Sequence, residues 1–186
     1  MSKIATRHIL FVDIDDVLCL NKGYGGYDVI DAINGRHENP TTVFREVFDA
    51  RAIEALERIH QSMDGALRYV VSSTWREVFD GAQMREVFRK GGLGFVAEAL
   101  HEEWCTPCGH YPSLRASEIA NWLDRHHRGE QFAIVDDTFS GLSLKPALNN
   151  AAHPFHGRVV LCQEQVGLLP EHVELLIQAL RLPLGS

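Results

Sequence analysis

Four short apolar runs punctuate the chain: Ile9-Leu10-Phe11-Val12, Leu67-Arg68-Tyr69-Val70-Val71, Phe132-Ala133-Ile134-Val135 and the weaker Arg158-Val159-Val160-Leu161. Each is nearly continuous and carries β-branched residues. That is the pattern of a strand covered on both faces, not of one with a solvent side. Between the runs, apolar positions recur at helical spacing. Ile53, Leu56 and Ile59 share one face of a helix predicted over 52–59, with Asp49 as its N-cap. Ile119, Trp122 and Leu123 do so over 117–126, and Val173, Leu176, Ile177 and Leu180 over 170–180. Strands alternating with helices predict a three-layer α/β fold, a parallel sheet with helices on both faces.

Two stretches break the rhythm. Residues 21–42 hold Gly23, Gly25, Gly26, Gly35 and Pro40, and residues 91–112 hold three early glycines and Pro107. Both exceed a minimal connector and read as a flap or small insert and as a loop near a site. In an open α/β sheet, ligands bind beyond the carboxyl ends of the strands, so the residues after each apolar run come under scrutiny.

Composition narrows the class. The chain has 186 residues, 45% hydrophobic and 23% charged, which suits one domain with a single core. Eighteen Lys and Arg against 25 Asp and Glu leave a net charge of −7. A field of that sign argues against a stable nucleic-acid complex held by bulk charge, though not against a local anion site. No apolar run approaches the ~20 residues of a bilayer span, so no membrane partner is expected. Asp13 ends the first short run, so Met1 to Val12 does not read as a secretory leader. Four cysteines are too few for a disulfide scaffold, and a reducing cytoplasm is the expected compartment.

The first run is followed by Asp13-Ile14-Asp15-Asp16-Val17, the second by Ser72-Ser73-Thr74-Trp75-Arg76 and the third by Asp136-Asp137-Thr138. Carboxylates buried together are costly unless they share a proton or hold a cation. Mg²⁺ takes hard oxygen ligands, and one or two carboxylates suffice, so Asp13 and Asp136 form a candidate Mg²⁺ site.

A strand ending in Asp-x-Asp-x-Val, a second ending in Ser or Thr and a third ending in Asp-Asp resemble the haloacid dehalogenase (HAD) superfamily of phosphohydrolases. Ser72 to Arg76, Thr106-Pro107, Arg115 with Glu118-Ile119 and Trp122-Leu123, and Ile134 to Asp137 are similar to the branch of HAD domains associated with Swiss-army-knife RNA-repair proteins and their stand-alone bacterial relatives. The resemblance implies a Rossmann-like, HAD-like sheet. It implies that Asp13 attacks phosphorus to form an aspartyl-phosphate. Asp15 would protonate the leaving group and later activate water, with its backbone carbonyl joining Asp13 and Asp136 on the metal. Ser72 would hydrogen-bond a phosphoryl oxygen, with Ser73 or Thr74 assisting through backbone N–H groups. The superfamily's cation, most often a Lys, is absent from the matching region, since Lys90 and Lys145 are misplaced. Arg115 is the candidate in its stead, against the plainer reading of a surface-helix arginine. Asp137 is either a partner orienting Arg115 or a metal-bound water, or the cap of a loop. Arg76 reaches a substrate phosphate or base, supports the site from behind, or stands exposed at a helix start. Asp16 reads as a solvated turn residue.

Other signals are weaker. Cys105 and Cys108 are spaced like a redox motif, but the Gly-His-Tyr-Pro that follows breaks a helix. With His101 and His110 they have the composition of a zinc site. Plain loop cysteines are the third reading and the favoured one. Tyr24 or Tyr27 in the glycine-rich flap has the chemistry to stack on a base or exclude water. Arg125-His126-His127-Arg128 reads as helix-dipole complementation.

The function expected is a Mg²⁺-dependent phosphatase, capless or minimally capped. Its substrate is a phosphorylated small molecule, a nucleotide or a nucleic-acid end. A second subunit in a homo-oligomer is an alternative source of cover for the site. Phosphotransfer to another acceptor, a binding or regulatory role without turnover, and a zinc or redox module on the two cysteines are the rivals.

Overall fold

The computed structural model describes residues 7–108 and 114–184. Five parallel strands, β1 (His8–Val12), β2 (Leu67–Val71), β3 (Leu100–Cys105), β4 (Gln131–Asp137) and β5 (Val159–Cys162), lie in the order β3-β2-β1-β4-β5. Parallel strands need crossovers, and helices supply them. The link from β1 to β2 holds α1 (Gly26–Ile33), α2 (Pro40–Glu46) and α3 (Ala50–Gln61); α4 (Gly81–Lys90) and α5 (Gly94–Glu98) lead to β3. Then α6 (Arg115–His126) precedes β4, α7 (Pro146–Asn149) precedes β5, and α8 (Pro170–Arg181) closes the chain.

Strand alternation divides the core. Ile9 and Phe11 of β1 join Ile119 and Trp122 of α6 on one face, whereas Leu10 and Val12 join α3, α4 and α8 on the other. Both faces are covered, as the continuous apolar runs require. The expected helices form with longer bounds. Asp49 caps α3 by accepting from Arg51 N at 2.9 Å, and α6 begins two residues earlier than its apolar pattern, at Arg115.

One of the two irregular stretches differs from its sequence reading as a loop, and the other holds helices. Residues 91–112 contain α5 and β3. β3 is an edge strand with the sequence Leu-His-Glu-Glu-Trp-Cys, and one open side tolerates polar residues that a buried run would not. Residues 21–42 hold α1 and the start of α2, which pack on each other and, through α2, on α4.

Candidate active site

The strand order reverses between β1 and β4, the place where an open α/β sheet binds its ligand. Val12 pairs with Val135, and Asp13 N donates to Val135 O at 3.0 Å, so Asp13 and Asp136 leave neighbouring strands side by side. Ser72 N donates to Val12 O, and Thr106 N to Val71 O. Four strand ends thereby present Asp136, Asp13, Ser72 and Thr106 in a row, all buried.

Asp13, Asp136 and Asp137 each offer a carboxylate oxygen, and these oxygens lie within 4.8 Å of one another. Burial first, then the neighbouring Asp136, push the Asp13 carboxyl well above its ordinary value, and Arg115 only partly opposes them. Asp136 is raised by burial to about 6 despite Arg115 and a hydrogen bond from Ser140. The Ser140 hydroxyl lies within hydrogen-bond distance of all three carboxylates. A hydroxyl owns one hydrogen, so it serves one of the three at a time, and Asp137 N supplies a further donor only to Asp136 Oδ1, at 2.9 Å. This excess of buried anionic oxygen is what a hard divalent cation neutralises, and the donor set fits one.

Arg115 occupies the first turn of α6 and is buried. Its Nε donates to Asp136 Oδ2 at 2.8 Å, Nη1 to Glu118 Oε2 at 3.0 Å and Nη2 to Asp13 Oδ1 at 3.4 Å. Burial disfavours its charge, but Asp13, Asp136 and Glu118 outweigh that and raise its pKa. It is not a surface-helix arginine. Lys90 pairs with Glu86 and Lys145 is exposed, so neither takes this place.

For Arg76 only the exposed helix-start alternative is corrected. Arg76 is 8% exposed, donating to Glu118 Oε1 at 2.7 Å and to Ser73 O at 2.6 Å. Glu118 therefore bridges two buried arginines, a link invisible from the sequence because Arg76 and Glu118 lie on different crossovers. Ser73 Oγ accepts from Trp75 N and caps the short 3₁₀ turn Thr74–Glu77, and Thr74 is exposed. Ser72 Oγ and Thr106 Oγ1 are buried and have no hydrogen-bond partner among the described residues. Such atoms are costly unless a ligand or water meets them.

Asp15 stands outside the carboxylate cluster and half-buried. Trp75 Nε1 donates to its Oδ2 at 3.0 Å and Asn21 Nδ2 to its Oδ1 at 3.2 Å. The glycine pair after Asn21 makes room for both donors. A Cβ at Gly25 would lie 2.3 Å from Asn21 Oδ1, and one at Gly26 would lie 3.3 Å from the Trp75 indole. Of the two roles expected of Asp137 the structure shows the loop cap, accepting from Phe139 N and Ser140 N, and its carboxylate also joins the cluster. Asp16 has the left-handed φ of 56° and accepts from Gln165 N at 2.8 Å, a turn residue as expected.

Among the described residues the cysteines form no metal or redox centre. Cys105 is half-buried and Cys108 exposed, and burial pushes the Cys105 thiol up to about 11, the reverse of a redox cysteine. The His101 ring packs on Trp122 at 5.0 Å. Among the described residues, His101, Cys105 and Cys108 do not converge as ligands, and His110 lies outside those residues. Tyr24 packs edge-on against His37, whereas Tyr27 is exposed.

A parallel α/β sheet with an aspartate after its first strand and an aspartate pair ending its fourth defines a HAD-type domain. The family described as "HAD domain in Swiss Army Knife RNA repair proteins" matches residues 9–173, and the chain belongs to that family. The family points to phosphohydrolase-type chemistry. No curated protein and no solved structure matches the chain. Among the described residues no helix is long and apolar enough to cross a membrane.

Proposed function

We propose that the protein is a Mg²⁺-dependent phosphatase that hydrolyses a phosphomonoester through an aspartyl-phosphate on Asp13. The observation that carries this reading is the buried Asp13 carboxylate, set against Asp136 and Arg115, next to the strand end that bears an unpartnered Ser72 hydroxyl. Asp13 and Asp136, with the backbone carbonyl of Asp15, would hold the cation. When bound, Mg²⁺ would neutralise the clustered carboxylates and the phosphoryl charge.

A free carboxylate is the nucleophile. Asp13 Oδ attacks phosphorus as the bond to the leaving oxygen breaks. That oxygen keeps the electron pair and takes a proton from Asp15. Ser72 Oγ–H and the Arg115 guanidinium offset charge on the phosphoryl oxygens. Water then attacks phosphorus, gives its proton to Asp15, and frees Asp13 and phosphate. Asp137 and Glu118 act at one remove. Asp137 holds the Ser140 turn, and Glu118, bridging Arg76 and Arg115, holds the Arg115 guanidinium in place.

The substrate is a phosphorylated small molecule, a nucleotide or a nucleic-acid end. Four unpaired cysteines support a reducing, cytoplasmic setting. The test is hydrolysis of an aryl phosphate with Mg²⁺, joined to rapid-quench mass analysis for a phosphate on Asp13. Phosphate release that persists in Asp13→Asn refutes the nucleophile. Transfer of phosphate to an added alcohol in preference to water marks a phosphotransferase.

A further inference from the structure

A cleft of about 410 Å³ adjoins Asp15 and is not used by the chemistry above. It opens between the start of α1 and the turn after β2. Tyr27, Ile30, Trp75 and Val78 supply its apolar lining. Tyr27 is 87% exposed and Val78 53% exposed, which leaves an aromatic ring and a branched side chain unburied at one opening. Two of the cleft's residues, Trp75 and Asn21, are the donors that hold the Asp15 carboxylate. The cleft therefore begins where Asp15 would meet a leaving oxygen. Its charged lining residues are Asp15 and Glu77, with no Lys or Arg among the described ones.

We infer that this cleft is the leaving-group subsite and that it takes an uncharged alcohol carrying an aromatic ring. This rests on the hydrolytic reading of Asp13 and Asp15. A flat apolar group gains area and stacking against Tyr27, Ile30 and Val78. A second anion does not. The phosphodiester of an oligonucleotide would sit among two carboxylates with no lining cation, an arrangement that selects against it. The substrate class is a monophosphate ester of a neutral, ring-bearing alcohol. A nucleoside monophosphate belongs to it and the end of an oligonucleotide does not.

The test compares kcat/KM for benzyl phosphate and ethyl phosphate, whose leaving groups are both primary alcohols. It also compares a nucleoside 5′-monophosphate with a 5′-phosphorylated dinucleotide. The wild type favours benzyl over ethyl, and the mononucleotide over the dinucleotide. In Tyr27→Ala/Val78→Ser the benzyl-to-ethyl ratio falls about tenfold, the loss expected for one stacked ring. An unchanged ratio, or preference for the dinucleotide, overturns the assignment. Binding without turnover provides the second arm. Tryptophan fluorescence of Asp13→Asn is titrated with the two esters in Mg²⁺, with and without Tyr27→Ala. Tighter benzyl binding that Tyr27→Ala removes keeps the subsite even where no ester is hydrolysed, and then the hydrolytic reading alone falls. Hydrolysis with no ring preference in either arm keeps that reading and discards the subsite.

Discussion

Arg115 Nε donates to Asp136 Oδ2 across 2.8 Å, both groups buried, and the same guanidinium reaches Asp13 and Glu118. One planar fork thus ties the first turn of α6 to the ends of β1 and β4. A lysine carries the charge but not the geometry. Arg115→Lys is expected to lower kcat/KM by about a hundredfold while the protein stays folded. Glu118→Gln leaves two buried arginines without their shared carboxylate and is expected to cost about 3 kcal/mol in urea unfolding. A Glu118→Gln variant as stable as the wild type would show that the bridge contributes nothing.

Ser72→Ala separates stability from activity. The hydroxyl is buried and unpartnered, so its removal spares a desolvation penalty of about 1 kcal/mol and the melting temperature holds or rises. If that hydroxyl meets a phosphoryl oxygen, kcat/KM falls by about a hundredfold in the same variant. Thermal melts and steady-state kinetics on one preparation decide it. Unimpaired turnover would remove Ser72 from the site.

The carboxylate cluster sets a pH dependence. Burial raises Asp136 from 3.8 to about 6, and burial with Asp136 raises Asp13 as well. Between those values the folded, metal-free protein binds more protons than the unfolded chain, so stability falls as pH rises through the window. A cation displaces those protons, and its stabilisation grows in the same direction. Melting temperatures in EDTA should therefore decline from about pH 4.5 to 7, and the increment from Mg²⁺ should widen over that range. A constant Mg²⁺ increment would argue that the ion binds elsewhere.

Gly25 is retained for space, not for a left-handed backbone, because its φ is −137°. A methyl group there lands 2.3 Å from Asn21 Oδ1 and displaces the amide that donates to Asp15. Gly25→Ala should fold normally and turn over roughly tenfold more slowly, with the limb of the pH–rate profile assigned to the leaving-group acid shifted. A profile superimposable on the wild type would leave Asn21 with no part in positioning Asp15.

Cys105→Ser with Cys108→Ser should leave activity within about twofold and bound zinc absent by elemental analysis. The Cys105 thiol is held near 11 by burial, and the two cysteines do not converge with His101. Stoichiometric zinc lost in the double variant would restore the metal-site reading.

The four buried strands, three of the helices and the carboxylate-bearing strand ends were legible because each rests on local pattern. A run apolar at every position has to be covered on both faces, and the residue after it is delivered to the sheet's carboxyl edge. β3 escaped because an edge strand does not need that pattern: Leu100 to Cys105 mixes His, two Glu and Trp. Ser140 escaped because no periodicity aims a hydroxyl in a turn.

By itself, the sequence determined the α/β class, the sheet's buried strands and the identity of Asp13, Asp15, Ser72 and Asp136 as the groups at their ends. Only the tertiary structure decided which of these groups touch. Asp13 and Asp136 meet because β1 and β4 are neighbours. Arg115, Glu118 and Arg76 form one buried chain because α6 packs beside the turn after β2. Asp15 stands apart because Trp75 and Asn21 hold it toward the cleft. Charge pairing and desolvation act through space at a few ångströms, and spacing along the chain does not encode those distances.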